Sequence, residues 1–204
     1  MSRARTARAD ERATDTRSRI MDALLPLAAL TGLRKLSMDE VARYAKVGRA
    51  TLYKYFPGRD ALIAAFVQQE LARFFADVGH IVERYDDPDE RLIHSFAHAY
   101  RYLRYHPALS TILRVNPQIL LPYVITEASE ALDLGRQFVE STVGADELPD
   151  PERAQFGEHV ARAIHTLILI PSSVMGLDAP DGPENYARRF LVPVKNSLAA
   201  TLPA

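Results

Sequence analysis

Apolar residues in this chain recur at intervals of three and four, with no sustained apolar/polar alternation, so the pattern predicts an all-α protein. Ile20, Leu24, Leu27, Ala28 and Leu30 keep helical spacing from Thr16 to Thr31, and Gly32 supplies a stop. Pro26 falls inside that helix and predicts a kink or a cost of about 3 kcal/mol. Ser37-Met38-Asp39-Glu40 reads as a capping box opening a helix that reaches Ala45. After a break at Lys46-Val47-Gly48, a short helix runs from Arg49 to Phe56 and stops at Pro57-Gly58. A fourth begins near Arg59 and carries Leu62, Ile63, Phe66, Leu71, Phe74, Phe75 and Val78. Prolines then delimit helices expected over Pro88 to Tyr105, Ala108 to Val115, Pro117 to Val143, Pro151 to Met175 and Pro183 to Leu202. Pro171 and Pro193 fall inside the last two and are expected to bend them.

Charge divides the chain where the pattern alone does not. The net charge is only −1, yet residues 1–60 hold 13 Lys/Arg against 7 Asp/Glu, and residues 61–204 hold 12 against 19. A basic head on an acidic body suggests that the head meets a polyanion. The organisation expected is a basic flexible arm at 1–14, a helix-turn-helix DNA-binding domain at 15–60 and a helical ligand-binding and dimerisation domain at 61–204. There is no cysteine, which excludes disulfides, thiolate zinc sites and cysteine nucleophiles and fits a reducing cytosol. With neither a signal core nor an apolar run of membrane-spanning length, a cytoplasmic protein is expected, with no membrane partner.

The segment from Met38 to Tyr55 carries the functional signal. Val41, Ala42, Ala45, Val47, Leu52 and Tyr55 can share one small core, with Ala42 allowing a close helix crossing and Val47 plugging the turn. Such a pair can set its second helix in a major groove about 12 Å wide. Arg49, Thr51, Tyr53 and Lys54 are then left facing outward. Arginine and lysine pair with guanine edges or phosphates, and the hydroxyls suit phosphates.

These residues carry a resemblance. Arg19 to Leu24, Gly32, Ser37 to Ala42, Val47, Thr51 to Pro57 and Asp60 to Leu62 stand in the order of the TetR family of bacterial regulators, which the chain resembles over about a fifth of its length. The resemblance implies a homodimer of all-α subunits, each with a three-helix head and a fourth helix linking it to a ligand-binding body. It implies a DNA surface containing Arg49, Thr51, Tyr53, Lys54 and Tyr55, to which Ser37 and Lys46 are added. It also places Arg59 where the family usually has a phosphate-binding lysine. Lys46 stands where the family favours glycine, and should cost roughly 1 kcal/mol if that position needs positive φ. Gly48 and Gly58 stand where a Ser-like cap is usual.

In the body, an apolar cavity is expected among Phe96, Leu103, Ile112, Leu113, Leu120, Val124, Phe138, Ile164 and Ile168, with Tyr100, Asn116, Tyr123 and His165 as orienting polar groups. The scarcity of charge there favours an apolar or amphipathic effector, such as an acyl or aromatic compound. The last two helices are expected to form the homodimer surface, through Ala161, Ile164, Ile168, Phe190, Leu191, Val194 and Leu198. His94 and His98 share an i, i+4 spacing that can bind metal, but no HExxH accompanies them, so no metal site is assigned. No nucleophile elbow, P-loop or dinucleotide fingerprint is present, so neither an enzyme nor a cofactor is expected. The reading is a ligand-responsive regulator of transcription, a repressor released from a near-palindromic double-stranded operator by a small effector.

Overall fold

The computed structural model describes residues 2–115, 117–119 and 130–200, with side chains from residue 15 onward except at Ile119 and Glu130. Every regular element among the described residues is helical. The chain forms α1 (Ser2–Thr31), α2 (Met38–Tyr44), α3 (Arg49–Tyr55), α4 (Arg59–Val82), α5 (Pro88–Tyr105) and α6 (Pro107–Val115). A 3-10 turn (Pro117–Ile119) precedes α7 (Glu130–Thr142), α8 (Glu152–Leu169), α9 (Gly182–Tyr186) and α10 (Val192–Ala200).

Two boundaries differ from the expected ones for reasons visible in the backbone. The described part of the segment expected as a basic flexible arm is helical from Ser2 and continuous with α1. Its Ala and Arg residues are strong helix formers and no Gly or Pro interrupts them. Pro171 ends α8 rather than bending it. Ile170 leaves the helix at φ −129°, ψ 77°, as the residue before a proline is pushed out of the α region by the pyrrolidine ring. Pro193 is absorbed differently. A π-helical turn at Ala187–Leu191 separates α9 from α10, widening the backbone where the proline ring would strike the carbonyl four residues earlier.

The chain forms two compact units. The first comprises residues 1–70 with 106–120, and the second residues 71–105 with 121–204. The first is larger than the expected head because α6 packs on α1. Thr111 Oγ1 donates to the Ala29 carbonyl at 2.8 Å. His106 caps α6, its Nδ1 accepting the Leu109 amide at 3.1 Å while Nε2 lies 3.0 Å from Glu70. This unit buries Ile20, Met21, Leu24, Leu33, Val41, Leu52, Phe56 and Leu62. Ile112 belongs to it as well, fully packed on α6 rather than lining a body cavity.

In the second unit α7 and α8 pack as an antiparallel pair, closely enough that small residues are required. A Cβ at Gly157 would stand 2.9 Å from the Arg136 carbonyl, and one at Gly135 would stand 3.3 Å from the Ala161 Cβ. Phe74, Val78 and Ala99 form a core joined by Phe75, Tyr102, Leu103, Phe138 and Ile164. The segment 176–184 is tied to α5 by ion pairs: Arg101 to Glu184 at 2.6 Å and Arg104 to Asp178 at 3.2 Å. Among the described residues no helix is long and apolar enough to cross a membrane.

Candidate nucleic-acid interface and ligand cavity

The interface is built on the turn between α2 and α3. Ser37 caps α2 by accepting the Glu40 amide on Oγ at 3.2 Å. At the other end of α2 the Val47 amide reaches the Ala42 carbonyl (2.9 Å) and the Lys46 amide the Arg43 carbonyl (3.2 Å). This is the paired closure of a Schellman motif, and it requires a left-handed residue at Lys46. Lys46 has φ 56°. A further clamp comes from α1: Arg19 Nη2 donates to the Ala45 carbonyl at 2.9 Å and the Lys46 carbonyl at 3.0 Å. In the sequence Arg19 stands out only as the first residue of a motif. Its partners lie 26 and 27 residues away, which no local pattern records.

The two short helices bury Val41, Ala42, Ala45 and Leu52, and Phe56 closes the core below them. Val47 and Tyr55 are half-buried. The aromatic run therefore divides: Phe56 is core and Tyr53 is exposed. On α3, Arg49, Ala50, Tyr53 and Lys54 are exposed and repeat at helical spacing, so they share the face opposite Leu52. Thr51 is half-buried beside them. Lys46 stands exposed in the turn and Ser37 half-buried at the start of α2. Arg49 Nε lies 2.8 Å from Asp39, but both side chains are more than half exposed, so the pair is weak and can exchange for a phosphate.

Arg59 differs from its expected phosphate role. Its Nη2 donates to the carbonyls of Leu33 (2.7 Å) and Arg34 (2.9 Å), and its Nε is buried. The family-like position thus holds an internal strut, because a guanidinium reaches the open carbonyls after α1 that an ammonium on a shorter fork would reach less well.

The second unit contains a cavity of about 80 Å³. Phe74, Phe75 and Val78 of α4 form one wall, and Arg91, Leu92, Ser95, Phe96 and Ala99 of α5 another. Gly135, Phe138, Val139 and Thr142 of α7 and Val160, Ala161 and Ile164 of α8 complete it, with Glu147 from the connecting loop. Of the residues expected at a ligand, Phe96, Phe138 and Ile164 line this cavity. Tyr100 lies one helical step off the lining face of α5 and turns instead to Asp178, 3.3 Å from its hydroxyl. Burial, with Asp178 beside it, raises the Tyr100 pKa. Leu103 packs on the Phe74 core, and Ile112 and Leu113 lie on α6 in the first unit. Ile168 is buried away from the lining. His165 bonds the Ala161 carbonyl of its own helix at 3.1 Å. Desolvation depresses its pKa, countered in part by that bond. Asn116, Leu120, Tyr123 and Val124 fall outside the described residues. The lining residues of α7, of which only Phe138 was expected, recur at i, i+3, i+4 and i+7, a signal present in the sequence. Arg91 and Glu147 carried none, since their proximity is a tertiary fact.

The expected dimer residues also separate. Ala161, Ile168 and Leu191 are buried within the unit, so they serve its own core. Phe190 is 42% exposed and Val174 92% exposed. His94 and His98 face different partners: His94 stacks on Tyr85 and lies 3.2 Å from Glu90, whereas His98 lies 3.4 Å from Asp77.

Comparison with known proteins agrees with this geometry. Residues 20–66 match the model of the bacterial regulatory proteins, tetR family. The HTH-type transcriptional regulator Rv1255c of Mycobacterium tuberculosis is 29% identical over 195 residues, covering 96% of this chain and 91% of that protein. The HTH-type transcriptional repressor KstR of the same species is 27% identical over 157 residues, 76% of this chain and 68% of its own. Among solved structures, the TetR family repressor AlkX of Dietzia sp. superposes with a TM-score of 0.63 at 18% identity, covering 88% of this chain and 95% of that one. RolR in complex with resorcinol gives 0.58 at 16% identity over 96% and 98%. FadR of Bacillus subtilis in complex with stearoyl-CoA gives 0.55 at 15% identity over 91% and 99%.

Proposed function

Because the chain belongs to the TetR family of bacterial regulatory proteins, we infer that it is a ligand-responsive repressor whose α2–α3 pair reads a near-palindromic operator. The chain is a helix-turn-helix regulator of transcription. The observation that carries the operator reading is the α3 face on which Arg49, Tyr53 and Lys54 stand exposed beside Thr51, held by a turn closed at both ends. Lys46 adds a cation in the turn, and Ser37 and Tyr55 flank the face. Residues 15–60 supply DNA binding, and residues 61–204 supply effector binding and dimerisation. Two copies joined through the last helices set two α3 helices into successive major grooves, 34–36 Å apart by the geometry of duplex DNA.

An apolar or amphipathic effector enters the cavity and disfavours the head separation that fits the operator. A coupling of about 1–3 kcal/mol suffices for release. α4 is the lever: it begins at the head with Arg59 and carries Phe74, Phe75 and Val78 into the cavity wall. Support for the effector class comes from the aromatic cavity lining and from the resorcinol and stearoyl-CoA bound by proteins of the same fold.

The test is a gel shift on the gene's own upstream region. Tyr53→Ala with Lys54→Ala is expected to abolish the complex while circular dichroism stays helical. Undiminished binding by that variant would remove α3 as the reading helix.

A further inference from the structure

We propose that the cavity selects an apolar ligand bearing one neutral hydrogen-bond acceptor, a carbonyl, which docks on Arg91. The proposal rests on the reading of this cavity as the effector site. Two charged side chains, Arg91 and Glu147, line it, and Lys195 ties Glu147 to Asp89 beyond the lining. Lys195 Nζ lies 2.8 Å from Asp89 and 3.1 Å from Glu147, and Arg91 Nη2 donates to Glu147 at 3.0 Å. The Gly144 amide donates to the same Glu147 oxygen at 3.2 Å. Lys195 and Glu147 are nearly buried, while Arg91 keeps a quarter of its side chain exposed.

This cluster favours an acceptor on the ligand. Glu147 accepts from Arg91 and Gly144 on Oε1 and from Lys195 on Oε2, so a ligand donor would share it with three donors already in place. The other polar lining groups have spent their protons: Ser95 Oγ donates to the Leu92 carbonyl and Thr142 Oγ1 to the Val139 carbonyl. A guanidinium has five N–H donors, and among the described residues the side-chain bond that Arg91 makes is the one to Glu147. The unspent donors at the cavity are therefore those of a cation, Arg91, while the Ser95 and Thr142 oxygens keep only acceptor capacity.

Charge decides which acceptor fits. Arg91 and Lys195 balance Asp89 and Glu147, so the cluster is neutral. A ligand carboxylate would bring unbalanced negative charge beside Glu147 in a partly desolvated site. An amine would face Arg91 with like charge. A carbonyl accepts from Arg91 through a charge-assisted bond without adding charge, and leaves its apolar body among Phe74, Phe96, Phe138 and Ile164. At about 80 Å³ the cavity is smaller than the ~150 Å³ that takes a benzene ring. It suits a short chain, or the carbonyl-bearing end of a longer one.

The full-length protein is titrated with 2-hexanone, pentanoate, pentylamine and hexane by saturation-transfer NMR. The expected order places 2-hexanone about tenfold tighter than the other three, the worth of one charge-assisted bond. Arg91→Met is expected to bring 2-hexanone down to the hexane level and leave hexane unchanged. Arg91→Met with Glu147→Gln is made in parallel, since it leaves no unpaired carboxylate and preserves the readout if the single variant does not fold. Equal binding of ketone and hexane, tightest binding of pentanoate, or a ketone preference that survives the loss of Arg91 overturns the acceptor assignment while leaving the cavity in place. Ile164→Trp, which fills the cavity, separates the two readings. If hexane gives no signal, or its signal survives that substitution, the cavity itself is not the ligand site.

Discussion

Lys46 concentrates two opposed demands on a single residue. Its φ of 56° is a conformation that side chains with a Cβ enter at a cost of about 1–2 kcal/mol, yet its ammonium stands exposed in the turn beside α3. Lys46→Gly is therefore expected to raise head stability by up to about 1 kcal/mol, because glycine's larger unfolded-state entropy offsets part of the relief. The same change is expected to weaken operator binding and to lower the slope of log affinity against log salt by about 0.9, the loss of one phosphate contact. Thermal melts and salt-titrated gel shifts check the two signs. Arg59 makes the contrasting case. Losing its two carbonyl bonds through Arg59→Ala is expected to cost about 1–3 kcal/mol of stability while leaving the salt slope unchanged. A lowered slope would return Arg59 to the phosphate set. His165 sets a pH dependence. Its folded-state pKa is depressed by desolvation, so between that value and about 6.5 the unfolded chain holds a proton that the folded chain lacks. Stability is present above pH 6.5 and declines as the pH falls, by at most about 1.4 kcal/mol per unit for this one group. Denaturant titrations at several pH values are expected to show a component of that slope vanishing in His165→Gln.

At the scale of elements, the packing of α7 on α8 depends on what is missing. Gly157 sits opposite the Arg136 carbonyl, and backbone yields less readily than a side chain. Gly157→Val is expected to destabilise the protein by about 1–3 kcal/mol through overpacking, and to shift binding of a cavity ligand because Phe138 and Ile164 ride on the two displaced helices. A melt of unchanged midpoint would show that the pair can slide apart without cost. The prolines show how element boundaries escape periodicity. Pro171 and Pro193 present the same local chemistry, yet one ends a helix and the other is preceded by a π-helical turn. Their surroundings differ: the chain beyond Pro171 is largely exposed, whereas Pro193 is flanked by the buried Leu191 and Lys195, which hold the helix to its course.

For the whole molecule, the proposed near-palindromic operator calls for two copies, and the exposed apolar residues of the second unit are where we propose that they meet. Phe190→Glu is expected to raise the dimer dissociation constant at least tenfold, read by sedimentation, and to weaken operator binding with it. A variant that stays dimeric would move the interface off the turn that precedes α10. Burial of Ala161, Ile168 and Leu191 within one subunit narrows that interface from the set the sequence offered. Apolar periodicity marks every face that avoids water and does not separate a face covered by its own chain from one covered by another.

The sequence alone determined the helical class, the capped α2, the turn and the cationic, hydroxyl-bearing face of α3. Each of these is a local property: capping, spacing and charge act within a few residues, so the chain spells them directly. Tertiary structure decided what depends on distant partners. It turned Arg59 inward, brought Arg19 to the turn, rotated Tyr100 away from the cavity, and assembled Arg91, Glu147 and Lys195 across as many as 104 positions of sequence. A long side chain has many acceptors within reach, and only the packed backbone settles which one it meets.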